Sequence, residues 1–168
     1  MNDLFTPSIF PEPSGATFSP CRTFRYTLWR SWPSGSGYAC FIGLNPSTAD
    51  ETEDDPTIRR CIAYAKAWGY AGLVMLNAFG YRATYPRDML AAHDPVGPDN
   101  DEHIRLLTRD AAVVIAAWGN HGEHLERFRA IGTLVPKLSC LKVTKPGHPS
   151  HPLYLKADLR PMPYELPG

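Results

Sequence analysis

The sequence carries no excess of either charge: 17 Lys and Arg stand against 17 Asp and Glu. No whole-chain attraction to nucleic acid or to an anionic membrane surface follows from such a balance. No apolar run approaches the roughly 18–20 residues that a bilayer-spanning helix needs, so no membrane partner is expected. The cysteines Cys21, Cys40, Cys61 and Cys140 are widely spaced and form no CxxC pair. That spacing fits reduced, mostly buried thiols better than a disulfide frame, a zinc site or an iron–sulfur cluster. A GxSxG elbow, a Walker GK[ST] and a GxGxxG after a strand are all missing, which removes the usual support for serine hydrolase, P-loop and dinucleotide chemistry. No cofactor is expected.

What is present suits one globular domain. The 168 residues, 43% hydrophobic and 20% charged, are enough to bury a substantial core. Residues 1–20, with Pro7, Pro11, Pro13 and Ser8, show neither helical nor strand period and are expected to be an irregular arm ahead of a single domain at 21–168. Asp3 stands where an export signal wants a base, and no sustained apolar core follows, so a cytoplasmic monomer is expected.

The segment "RTFRYTLWRSW" (22–32) alternates polar and apolar side chains, "PSGSG" supplies turn chemistry and "YACFIGL" follows. Together these read as a hairpin. Asp55 as N-cap and Pro56 at the first helical position then open a helix, with Ile58, Ile62, Ala65 and Trp68 on one face and Gly69 as its stop. "AGLVMLNAF" reads as a buried strand and "PDNDEHIRLLTRDA" as a helix with Asp99 and Asn100 as caps. "AAVVIAAWG", "GEHLERFRAIG" and "LSCLKVT" continue as strand, helix and strand. Fully apolar short strands alternating with amphipathic helices imply an α/β fold, a three-layer α/β/α sandwich on a mainly parallel central sheet.

Ligands of such sheets bind outside the C-terminal strand ends. The polar residues collect there: Asn45 and Ser47 after the first buried strand, Asn77 after the second, Asn120 and His121 after the third, and His148 and Ser150 after the last. Asn side chains present a donor beside an acceptor, the geometry needed to read a nucleobase or another cyclic amide. A histidine can donate to an oxygen that gains charge. Each residue also has a plain structural reading, since Asn and Pro favour turns and Ser favours caps. Arg82, just beyond Asn77, is a further binding candidate. His121-x-x-His124 and His148-x-x-His151 suggest a metal, the first pair sharing a helix face. The carboxylates that would complete such a site are not obvious and the spacing matches no standard zinc pattern, so no metal is expected.

Four segments in order, "GLNPS" (43–47), "VMLNAF" (74–79), "AAWGNHG" (116–122) and "GHPSHPL" (147–153), resemble the motifs of the uracil-DNA glycosylase superfamily. The chain also resembles an uncharacterised bacterial and phage family, known as a domain of unknown function, that carries the same Asn-Pro-Ser and Asp-Pro-Thr segments. The first resemblance implies a uracil-DNA glycosylase-like fold and an enzyme that hydrolyses the N-glycosidic bond of a native or modified base in DNA, with the base taken out of the stack. It implies that Asn45 orients the attacking water and that His148 donates to the base oxygen as negative charge develops. Asn77 would read the base, with Leu44 and Phe79 beside it. Ser47 and Ser150, with Arg82, would hold backbone phosphates. Leu153 would fill the vacated stack, with the inserted His151, or Tyr154, as substitutes. Asn at position 45, where the main branch of that superfamily has Asp, implies slow hydrolysis, because an amide positions water but cannot take its proton. The acids Asp50, Glu51, Glu53, Asp54 and Asp55 stand where that superfamily places an aromatic, and they would repel phosphates. The expected partner is DNA or a nucleotide-like ligand. Two other functions fit the same residues: a base- or nucleotide-modifying transferase in phage DNA hypermodification or defence, and a non-catalytic nucleobase-binding module.

Overall fold

The structure, a computed structural model, describes Phe10 and residues 12–168. The expected irregular arm therefore lies partly outside the described residues. Its remainder differs from expectation, because Ser14–Phe18 form a strand, β1. It pairs antiparallel with β2, Arg25–Ser31, and places Gly15 opposite Trp29. A Cβ at Gly15 would lie 2.2 Å from the Trp29 ring. The indole thus lies over the glycine, a tertiary fit that no strand period announces.

The buried segments form β3, Tyr38–Gly43; β4, Gly72–Asn77; β5, Val113–Ala116; and β6, Ser139–Cys140. A short β7, Met162–Pro163, closes the far edge. One seven-stranded sheet runs in the order β1-β2-β4-β3-β5-β6-β7. The four strands β4, β3, β5 and β6 are parallel, while β1, β2 and β7 add antiparallel pairings at both sides. The sheet is therefore mixed, with a parallel centre, rather than mainly parallel. The expected hairpin is also corrected: β4 lies between β2 and β3. Both β3 and β4 are buried along their whole length, so each needs a neighbour strand on both sides. The "PSGSG" segment does turn, but it crosses the start of β4. Trp32 N–H donates to Ala71 and Ala71 N–H to Gly37, at 3.0 and 2.9 Å.

Strand periodicity divides the core in two. Tyr38, Cys40 and Ile42 of β3 face one apolar cluster with Ile104, Phe128 and Ile131. Ala39 and Phe41 face the other, with Ile58, Cys61, Tyr64 and Ala65. The second cluster is covered by α1, Pro56–Ala67. The first is covered by α2, Pro86–Leu90; α3, Asn100–Arg109; and α4, Arg127–Leu134. Helices on both faces of the sheet make the chain an α/β protein. Asp55 caps α1 as its position predicts, accepting from Ile58 N–H at 2.9 Å. Asp99 holds the expected N-cap position of α3 but makes no side-chain cap bond, while Asn100 is the first residue of the helix and is buried. The expected helix from residue 122 breaks into a 3₁₀ turn, Asn120–Glu126, with extended backbone at His124 and left-handed backbone at Leu125, before α4 begins. His121 and His124 therefore share no regular helix face. Among the described residues no group of three or more His, Cys, Asp or Glu could hold a metal, and no helix is long and apolar enough to cross a membrane.

Candidate functional site

The C-terminal ends of β3 and β4 open into a cavity of about 360 Å³, within the ~300–1,000 Å³ range of small-molecule sites. Its floor is Gly43 and Asn77, opposite one another in the parallel ladder. Leu44, Asn45, Ser47 and Thr48 form one wall and the start of α1 from Asp55 to Ile58 another. Ala83 and Thr84, His151 and Leu153, and Arg25 also line it.

Asn77 ends β4 and is 1% exposed. Its backbone carbonyl accepts from Asn100 Nδ2 at 2.9 Å. The next carbonyl, Ala78, accepts from Asn100 Nδ2 at 3.3 Å and from Arg127 Nε at 2.6 Å. Arg127, itself buried, is tied by its guanidinium to Asp101 at the start of α3. Asn100 is thus a strut that holds the strand end. The Asn77 side chain is left unengaged: Nδ2 is enclosed without a partner, and Oδ1 accepts from no described residue. Such an amide costs the fold roughly 1–3 kcal/mol unless a ligand or water completes it.

Asn45 is arranged the other way. Its Nδ2 donates to the carbonyls of Ala83 at 2.9 Å, Pro46 at 3.1 Å and Tyr81 at 3.4 Å, which consumes the donor side of the amide. Only Oδ1, an acceptor, is left for the cavity. His151, at the exposed rim, accepts on Nδ1 from Leu153 N–H at 3.2 Å, so its neutral ring carries the proton on Nε2. Surrounding protein atoms lower its pKa below the ordinary histidine value, against an opposing pull from Asp55.

The predicted residues are only partly brought together. Asn45, Asn77, Leu44, Ser47, His151 and Leu153 line the cavity; His148, Phe79, Ser150 and Arg82 do not. His148 is 1% exposed, packs edge-on against Phe128 and places Nε2 2.9 Å from Glu123 Oε1. It ties the last loop to the 3₁₀ turn beneath α4. Phe79 is fully buried beside His124. The backbone N–H of Ser150 donates to Lys142. Arg82 stacks over Phe18 with its Nη1 on the Arg22 carbonyl. Tyr154 is 93% exposed, with left-handed backbone at φ 73°.

The acidic stretch is mostly consumed by structure. Asp50 accepts from the N–H groups of Thr52 and Glu53, Glu51 pairs bidentately with Arg22, Asp54 pairs with Arg30 at 2.8 Å and Asp55 caps α1. Of the five acids only Asp55 lines the cavity, so the expected phosphate-repelling patch does not form its mouth. Arg25 was missed altogether. It reads as a solvent-face residue of an alternating strand, yet it is buried in the cavity wall.

Comparison with known proteins adds one finding. The family described as "Protein of unknown function (DUF1643)" matches over residues 25–153, a span that holds every cavity-lining residue. No curated protein and no solved structure matches the chain.

Proposed function

The chain belongs to the DUF1643 family, and for this member we propose a hydrolase that takes a nucleobase into the cavity and cleaves its N-glycosidic bond. The observation that carries the reading is the buried Asn77 amide, whose donor and acceptor engage no described residue, in a cavity that Asn45 also lines. A cyclic amide offers the complementary acceptor and donor. The ordered resemblance to the uracil-DNA glycosylase superfamily supports a pyrimidine. The helix-covered sheet with its cavity at the parallel strand ends supports the corresponding fold.

Asn45 Oδ1 accepts a hydrogen bond from water and so fixes where the water's lone pair points. The water oxygen bonds to the anomeric carbon as the carbon–nitrogen bond breaks, and that bond's electron pair leaves on the base. The water's proton passes to Asp55, whose Oδ1 is held by the Ile58 N–H of α1 while Oδ2 has no partner among the described residues. His151, rather than His148, is the imidazole that lines the cavity, and its Nε2–H donates to the base oxygen as charge builds.

A second reading has its own support. With His148 held away beside Glu123, the crevice lacks the donor that the resemblance implies, and a base-binding module without turnover fits the same amide. Single-stranded and duplex oligonucleotides carrying uracil or modified bases, treated with alkali after incubation, separate the two. Strand breaks that disappear in Asn77→Ala support the hydrolase. Saturable binding to wild type with no break on any oligonucleotide leaves the binding module. Neither binding nor breaks would refute both.

A further inference from the structure

Arg25 is 2% exposed and forms no ion pair among the described residues. Its Nη1 donates to the Ala49 carbonyl at 3.1 Å. Nε is enclosed with no partner, and Nη2 donates to no described residue. Burial pushes its pKa down to about 10. A buried guanidinium with unfilled donors destabilises a fold unless an anion completes it, and its planar fork matches phosphate or carboxylate oxygens.

The side chain reaches the cavity through a defect in the sheet. Thr17 pairs with Thr27 but Phe18 pairs with Arg25, so Tyr26 is an extra residue in β2. Tyr26 and Thr27 consequently both meet His103 of α3, by ring stacking at 5.0 Å and an Oγ1–Nδ1 distance of 3.0 Å. Arg25 turns to the opposite face, among the cavity residues. Bulges re-aim side chains in this way beside functional sites. Ser47, Thr48, Thr57 and Thr84 line the same cavity, and their hydroxyls hydrogen-bond to no described residue. Charged groups acting on Arg25 are Asp55, Arg82 and Arg30. Asp55 spends Oδ1 on the α1 cap and does not pair with Arg25.

We propose that Arg25 and the neighbouring hydroxyls bind a phosphate group, so that the ligand of this cavity is a nucleotide rather than a bare nucleobase. The phosphate comes from a free nucleoside monophosphate or from the phosphodiester of a single strand. The base half of this inference rests on the reading of Asn77 above; the anion half stands on Arg25 alone.

Calorimetric titration with inorganic phosphate, uridine, uridine 5′-monophosphate and a short uracil-containing single strand tests it. The monophosphate should bind at least tenfold more tightly than uridine, about 1.4 kcal/mol. Arg25→Gln should erase that advantage and Arg25→Lys should restore part of it. Circular dichroism checks that the variants are folded, and the wild-type comparison of uridine with its phosphate needs no variant. Asn77→Ala should weaken uridine and leave phosphate binding intact. A strand that outcompetes the monophosphate, or the reverse, identifies the phosphate's source. Arg25-dependent phosphate binding with no response to either uridine compound would keep the anion site and sink the base reading. Equal affinity for uridine and its monophosphate, an advantage that survives Arg25→Gln, or no binding of any phosphate compound would overturn the anion site.

Discussion

Gly43 and Asn77 lie side by side in the β3–β4 ladder, and the missing Cβ of the glycine makes the space for the Asn77 amide. A Cβ at 43 would stand 3.1 Å from Asn77 Oδ1 and 2.8 Å from the Met75 methyl. The methyl can swing aside, whereas the Asn77 amide is enclosed at its Nδ2 and has little room to move. Gly43→Ala should therefore cost about 1–3 kcal/mol of stability, as overpacking does, and weaken base binding at least tenfold. Urea denaturation beside a uridine titration checks both, and wild-type affinity in the variant would show that the Asn77 amide is not the base reader.

Asn45 holds the segment 81–83 through its Nδ2. Asn45→Asp removes those donors and sets a carboxylate against the carbonyls of Pro46, Tyr81 and Ala83, so a stability loss of about 1–3 kcal/mol is expected. Turnover should fall with it, although the resemblance to glycosylases with Asp at this place suggests a gain. Single-turnover rates on a uracil strand decide; a faster variant would mean that the amide's anchoring bonds are dispensable.

Arg30 organises the loop between β3 and α1. Besides Asp54 at 2.8 Å, it donates to the carbonyls of Gly15, Trp29, Asp50 and Glu53 at 2.6 to 3.2 Å. Arg30→Met should destabilise by roughly 3 kcal/mol, the lower end for a buried pair because Asp54 is partly exposed. Asp54→Asn should cost less, since Arg30 keeps its carbonyls. Equal losses in urea melts of the two variants would assign the effect to the ion pair alone.

His103 is packed on Tyr26, and burial holds its pKa below 6.5 despite Asp99 and Glu102; His151 is shifted the same way. Below the unfolded-state value of about 6.5, the unfolded chain therefore binds the extra proton first. The contribution is present in full above that value and is lost as pH falls through the folded-state pKa. Urea midpoints should drop between pH 7.5 and 5.5, and His103→Gln should flatten the slope. An unchanged slope would place the sensitivity elsewhere.

Cys21 is exposed while Cys40, Cys61 and Cys140 are buried. Hydrogen bonding with Thr23, and then with Ser19, lowers the Cys21 pKa to about 7, whereas burial raises the other three. Iodoacetamide should modify one thiol in the native protein, with a rate midpoint near pH 7, and Thr23→Val should move that midpoint upward. Mass spectrometry after limited labelling reads the site; a second thiol reacting as fast would contradict the buried assignment.

Local chemistry written into the chain settled α1, capped by Asp55 and opened by Pro56, the apolar strands β3 to β5, and the gathering of Asn45 and Asn77 at strand ends. These follow from contacts a few residues apart and from periodicity, which a linear sequence carries. Long-range fit decided the remainder. β4 separates β2 from β3 because two fully apolar strands each need neighbours on both sides. Gly15 lies in β1 opposite Trp29, whose ring covers it where a side chain would not fit. His148 leaves the site because Glu123, across a kinked turn, holds it. Arg25 enters because an extra residue in β2 reverses the alternation that would have turned it away. A period of two says which residues share a face, but where a bulge shifts the register only the partner strand decides which face that is.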